Sequence, residues 1–380
     1  MRDSGAKPIK DAPSVAGSFK APPEWRERCD VSKLNLANKL DYLPLHMDLI
    51  KSLVEAKNIE FPIYFLVGFD LYEFIKPNDF SADLVKEMIS IHKKWPSHTR
   101  IVLRRQDFSR YGKIMAAFRE SCYEEAASGA AMPLRPVFNC YAELSNVSQY
   151  IVRGSLQPNI YSRAAAASTT SLARMPSTKD VLQFVVSVIG KNPVIYDHAA
   201  VTSLLSLAIG WNSLRLPKRE VKLCGQAGLT HDIERHCAYL LKPAVPKKIS
   251  ESSIKELEFF IEKEGSGFHE SVIQTMRQYR EKFGGGGFPE GRSGAQEKSS
   301  ATGINRVARI VSIACAFSEY LLKRQDKHPL TLPAIMDLMR ARVGTDFDPD
   351  IFDAFAADAA SGKVYKMKSA AARDEFPYED

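Results

Sequence analysis

Little in this chain ties it to an oxidising compartment. Its 380 residues include six cysteines, Cys29, Cys122, Cys140, Cys224, Cys237 and Cys315, and no two of them form a CxxC pair. Reduced, buried thiols are therefore expected in place of disulfides or a zinc cluster. Long apolar runs are also missing. No stretch approaches the roughly 18 apolar residues that a membrane helix needs, so no membrane association is expected. Residues 1–28 are polar, carry Pro8, Pro13, Pro22 and Pro23, and offer no apolar signal segment, which gives the expectation of a cytoplasmic protein. A dominant charge of one sign is absent too. The net charge of +7 tolerates an anionic ligand but is too small to indicate a nucleic-acid partner. Tyr64, Phe65, Phe69 and Tyr72 are not interleaved with basic residues, so they read as core and not as a base-stacking platform.

What is present is ordinary globular composition, 45% apolar and 26% charged, in a chain long enough for two domains. The pattern predicts a multidomain α+β protein, with a small N-terminal α+β module followed by an all-α helical domain. Residues 1–45 read as a flexible tail and 46–127 as the module. Within it, Phe61 to Val67 and Leu71 to Ile75 flank Gly68 as a hairpin. Ser81 caps a helix to about Trp95, Ile101 to Leu103 forms a third strand, and another helix starts near Gly112. Residues 128–178 read as a connector, its alanine- and serine-rich Ser155 to Arg174 stretch being a linker or a weakly packed helix. Residues 179–360 carry helical periodicity almost throughout, for example Val181/Phe184/Val185/Val188 and Ile304/Val307/Ile310/Val311. Residues 361–380 read as a tail.

Chemistry-bearing residues cluster in this last domain. His231-Asp232 ends a helical pattern, and adjacent His and Asp are one way to hold a metal at a helix end. Gly284-Gly285-Gly286-Gly287-Phe288-Pro289 follows, glycines giving the permissive backbone that a lid or docking loop requires. Five segments occur in order: Tyr196 to Val201, Leu229 to Ile233, Glu281 to Pro289, Val307 to Ile310 with Ala316-Phe317, and Gly344 to Pro349. Together they resemble the HD-GYP family of cyclic di-GMP phosphodiesterases, a branch of the HD phosphohydrolases, with Phe288 where tyrosine is usual.

The resemblance implies an HD-type helical fold and two or three metal ions that fix a hydroxide in line with a phosphodiester. His231 and Asp232 match the first two ligands, and His198 matches a position near the metals. Other positions depart. The expected histidine pair reads Tyr279-Arg280, an expected aspartate reads Cys315, and a further expected histidine falls near Lys255, with His269 as a displaced substitute. Arg235 stands where a lysine is usual. Two unit charges about 4 Å apart interact by on the order of 4 kcal/mol at an effective dielectric of about 20, so Arg280 alone opposes a metal strongly. Arg280, with Lys255, is expected to occupy the vacated centre and pair with Asp232. Arg324 and Lys327 match basic positions that by resemblance contact ligand phosphates, Arg309 matches the arginine preceding the lost aspartate, and these three with Arg235 are the candidate ligand-binding cations.

These readings give a non-catalytic signalling protein with His198, His231 and Asp232 as remnant ligands and no cofactor. It would bind cyclic di-GMP, or dock a diguanylate cyclase (GGDEF) or another partner through the glycine loop. One alternative is an active phosphodiesterase holding Fe, Mn or Zn on His198, His231, Asp232 and His269. A second is a structural interaction protein that binds no nucleotide. Blander readings stay open for single residues: His198 as a hydrogen-bonded structural histidine, Cys315 as inert packing, the glycines as a surface loop, Arg324 and Lys327 as a solvated helix end.

Overall fold

The computed structural model describes residues 20–34, 41–45, 59–77, 79–95, 98–127, 134–153, 159–191, 196–233, 267–294, 303–322 and 328–361, together with Leu53, Glu258, Ile261, Arg324 and Gln325. The first module is built from α1 (Pro23–Arg28), β1 (Val31–Lys33), β2 (Tyr42–Pro44), β3 (Ile63–Val67), β4 (Asp70–Ile75), α2 (Ala82–Lys94), β5 (Thr99–Arg104) and the start of α3 (Phe108–Ala127). The five strands form an antiparallel sheet in the order β1-β4-β3-β5-β2.

Strand alternation sorts the side chains onto two faces. Ile63, Phe65, Tyr72, Phe74, Ile101 and Leu103 join one core with Trp25, Val85, Met88, Tyr111 and Met115 from the helices. Tyr64, Leu66, Leu71 and Val102 form a smaller cluster. The predicted hairpin is present, with Gly68 at φ +62° in its turn. Ser81 caps α2 by accepting a hydrogen bond from the Leu84 N–H at 3.2 Å. Phe69 differs from expectation. It sits at the hairpin tip and is 72% exposed, while Tyr64, Phe65 and Tyr72 are buried. Pro23–Arg28, Val31–Lys33 and Tyr42–Pro44, within the expected tail, form α1, β1 and β2. Trp25 lies 5.1–5.6 Å from the Phe65, Tyr72 and Phe74 rings, so burial of one indole anchors α1 to the sheet.

The helical domain follows as α4 (Arg135–Arg153), α5 (Ile160–Ala173), α6 (Thr178–Phe184), α7 (His198–Ala208), α8 (Lys218–Thr230), α9 (Glu270–Gln278), α10 (Arg306–Leu321), a short β6–β7 pair (Arg324–Gln325, His328–Pro329), α11 (Leu332–Arg340) and α12 (Pro349–Ser361). One apolar core runs from Cys122 to Phe355. The alanine- and serine-rich stretch is the well-packed helix α5, with Ala164, Ala167, Ser168 and Ser171 buried. Small side chains are what permit that packing. A Cβ on Gly225 of α8 would lie 2.7 Å from both Ser168 Oγ and Leu207 Cδ2, and one on Gly228 would lie 2.6 Å from Ser203 Cα. The helix α3 belongs to both bodies: Met115 packs in the sheet core, Cys122 and Tyr123 in the helical core. Among the described residues, no helix is long and apolar enough to cross a membrane.

Candidate functional site

The site forms where the start of α7, the end of α8 and the middle of α10 meet. Asp197 sets the first of these. Its carboxylate N-caps α7 by accepting from the Ala200 N–H at 3.0 Å, and also accepts from the Ser148 and Ser145 hydroxyls of α4 at 2.9 and 3.0 Å. Burial raises its pKa, while these hydrogen bonds and the charge of buried Arg119 pull the other way. His198 is thereby held at the first turn of α7.

Its ring is oriented through Nδ1, which lies 2.9 Å from the Tyr196 hydroxyl and 3.0 Å from Ser318 Oγ. Burial pushes the Tyr196 phenol up, and the hydroxyl donates to the Ser318 carbonyl at 3.0 Å, so its oxygen is left to accept. His231 caps the end of α8. Its Nδ1 is 2.8 Å from the Gly228 carbonyl oxygen. A carbonyl only accepts, so Nδ1 carries the hydrogen and Nε2 presents its lone pair inward.

The two Nε2 atoms stand 3.1 Å apart, and Cys315 Sγ lies 3.6 Å from His198 Nε2. All three ligand atoms lie within 4.8 Å of one another. Cys315, which stands in place of an expected aspartate, is thus part of the centre. Asp232 is buried beside His231 at the end of α8. Tyr279 meets the His231 ring edge to face at 4.7 Å, and the Arg280 guanidinium lies 4.5 Å over Tyr279. Of the pair standing where histidines were expected, Tyr279 therefore flanks the centre, and half-buried Arg280 lies over the Tyr279 ring.

Other candidate residues lie elsewhere. His269 is exposed and N-caps α9 by accepting from the Ser271 N–H at 3.1 Å, so it is no substitute ligand. Arg309 is buried against Asp348, whose carboxylate also caps α12 through the Asp350 and Ile351 N–H groups. This ion pair ties α10 to α12, and it corrects the expected phosphate contact at Arg309. Arg324 lies in β6, and its side chain is outside the described residues, as are Arg235, Lys255 and Lys327 entirely.

The glycine loop is not loose. Gly284 N–H donates to the Thr345 carbonyl at 2.8 Å, Phe283 N–H to Asp346 at 3.2 Å and Phe288 N–H to Arg280 at 3.2 Å. Buried Glu281 accepts from the Glu290 N–H at 2.7 Å. Gly285 and Gly286 adopt φ of +94° and +69°, which accounts for glycine at both. The loop is docked against the Gly344 to Asp348 segment, with Gly284 and Gly286 exposed at its surface.

No family model matches the chain, and no curated protein matches it. Among solved structures, it is similar to Bd1817, a HDG"Y"P protein from Bdellovibrio bacteriovorus. The identity is 14% and the TM-score 0.48, covering 83% of this chain and 99% of that one. The residue roles above rest on this chain's own geometry.

The metal cluster that the HD-GYP resemblance implies can be tested against these side chains. Paired catalytic ions about 3.5–4 Å apart require many oxygen and nitrogen donors. Among the described residues, the converging set is two imidazoles and one thiol, with Tyr279 beside it and the Arg280 cation on that ring. This set does not fit two or three hard ions.

Proposed function

We propose that this chain is a non-catalytic HD-GYP-type signalling protein that acts by contact and not by hydrolysis. The observation that carries the reading is the donor set around His231. Three ligand atoms converge where a phosphodiesterase of this type needs enough for a bridged metal pair, and a guanidinium lies on the Tyr279 ring that flanks His231. Arg309, one of the candidate ligand-binding cations, is paired with Asp348 inside the core. The docked glycine loop supports a contact role, because its shape is fixed before any partner arrives. Of the partners that the resemblance suggests, a diguanylate cyclase (GGDEF) domain suits such a preformed loop, and cyclic di-GMP itself is the other candidate.

Incubation of the full chain with cyclic di-GMP and excess Mn2+ or Fe2+ is expected to yield no linear product. Turnover would sink the proposal. Pull-down with a GGDEF domain, before and after Gly286→Asn, tests the contact role. Asparagine tolerates the left-handed backbone at this open position, so it alters the surface and leaves the fold. Unchanged partner capture by that variant would remove the loop from the interface.

A further inference from the structure

We infer that His198, His231 and Cys315 form a site for a single borderline-soft divalent ion of the zinc class. The inference goes beyond the non-catalytic reading and stands on separate observations. Softness comes first: one thiolate with two imidazoles suits zinc, whereas manganese and magnesium favour oxygen.

Spacing comes second. Tetrahedral zinc, with Zn–N of about 2.0–2.1 Å and Zn–S of about 2.3 Å, sets edges of roughly 3.3 Å between nitrogens and roughly 3.6 Å between sulfur and nitrogen. The Nε2–Nε2 distance is 3.1 Å and the Sγ–Nε2 distance 3.6 Å. Two edges of one coordination face are thus already close to these values, and the third, between Sγ and His231, lies within 4.8 Å.

Orientation comes third. Metal-binding histidines hold their outer nitrogen in a hydrogen bond that fixes the tautomer. His231 does this through the Gly228 carbonyl, and His198 through Ser318 Oγ and the Tyr196 oxygen. Ser318 lies one turn after Cys315 on α10, so a single helix supplies both the sulfur and the oxygen that aims its partner ring. Without an ion, one Nε2–H can donate to the other Nε2 across this 3.1 Å gap, and a bound cation takes the place of that shared proton.

The test uses the full chain, equilibrated separately with Zn2+, Mn2+ and Co2+, desalted and assayed for bound metal. One Zn2+ per chain is expected to remain and Mn2+ to wash away. The Co2+ form is expected to show an intense sulfur-to-cobalt charge-transfer band, lost in Cys315→Ser while circular dichroism is unchanged. Ser318→Ala, a positioning change, is expected to weaken Zn2+ binding by about 10–100-fold without removing that band. Failure to retain Zn2+, or a cobalt band that survives Cys315→Ser, overturns the site and leaves the non-catalytic reading standing. Retention of two Mn2+ ions per chain overturns both. If Cys315→Ser does not fold, His198→Gln replaces it and must abolish the tetrahedral cobalt spectrum.

Discussion

Asp197 decides where His198 points. Its carboxylate gathers the Ala200 N–H and two serine hydroxyls from α4, so the start of α7 cannot rotate without breaking all three hydrogen bonds. Asp197→Ala would remove the cap and leave Ser145 and Ser148, both buried, without this partner. A loss of about 1–3 kcal/mol is expected in urea unfolding, whereas Asp197→Asn, which keeps an acceptor in place, should lose less. Equal losses for the two variants would show that charge and not hydrogen bonding holds the turn. The sequence made His198 visible as a motif position but gave no sign of Ser145 and Ser148 as its support. They lie 52 and 49 residues from Asp197, and no local pattern joins segments that far apart.

Elements show the same division between local and distant causes. Helix α2 and the β3–β4 hairpin follow from a capping serine and a glycine turn, and both were legible. The glycine run was legible as a loop, but its rigidity was not, because the segment that receives its hydrogen bonds lies at Gly344 to Asp348. Two of its glycines are required for different reasons. A Cβ on Gly287 would stand 2.3 Å from Lys282 N and 2.5 Å from Glu281 Cα, both backbone atoms that must shift. A Cβ on Gly286 meets open space but sits on a positive φ. Thermal unfolding should therefore rank Gly287→Ala as the more damaging, by about 1–3 kcal/mol, against about 1 kcal/mol for Gly286→Ala. The reverse order would mean that the loop is not packed as described.

At the scale of the molecule, two apolar cores are joined by α3, which carries Met115 into one and Tyr123 into the other. The helical core is closed at its far end by the Arg309–Asp348 pair. Arg309→Met would leave Asp348 buried without its cation, and a loss of about 3–5 kcal/mol is expected in denaturant unfolding. Adding Asp348→Asn should recover part of it, since asparagine keeps an acceptor for the cap of α12. If Arg309→Met instead left stability intact and abolished cyclic di-GMP binding, a ligand role for Arg309 would be correct and the structural one wrong. A basic residue on an otherwise apolar helix face looks the same in sequence whether it meets a carboxylate or a phosphate. Only the fold brings Asp348 to it.

Sequence by itself determined the sheet module, the helical domain and the order of the motifs, because turn chemistry, capping and apolar period act between near neighbours in the chain. It also carried the expectation that the residues standing at His198, His231, Tyr279, Arg280 and Cys315 do not reproduce an oxygen-rich metal pair. Tertiary structure alone decided which of them meet. Cys315 and His198 are 117 residues apart, and their 3.6 Å contact exists because α7 and α10 pack against each other, so side chains on separate helices share one small volume.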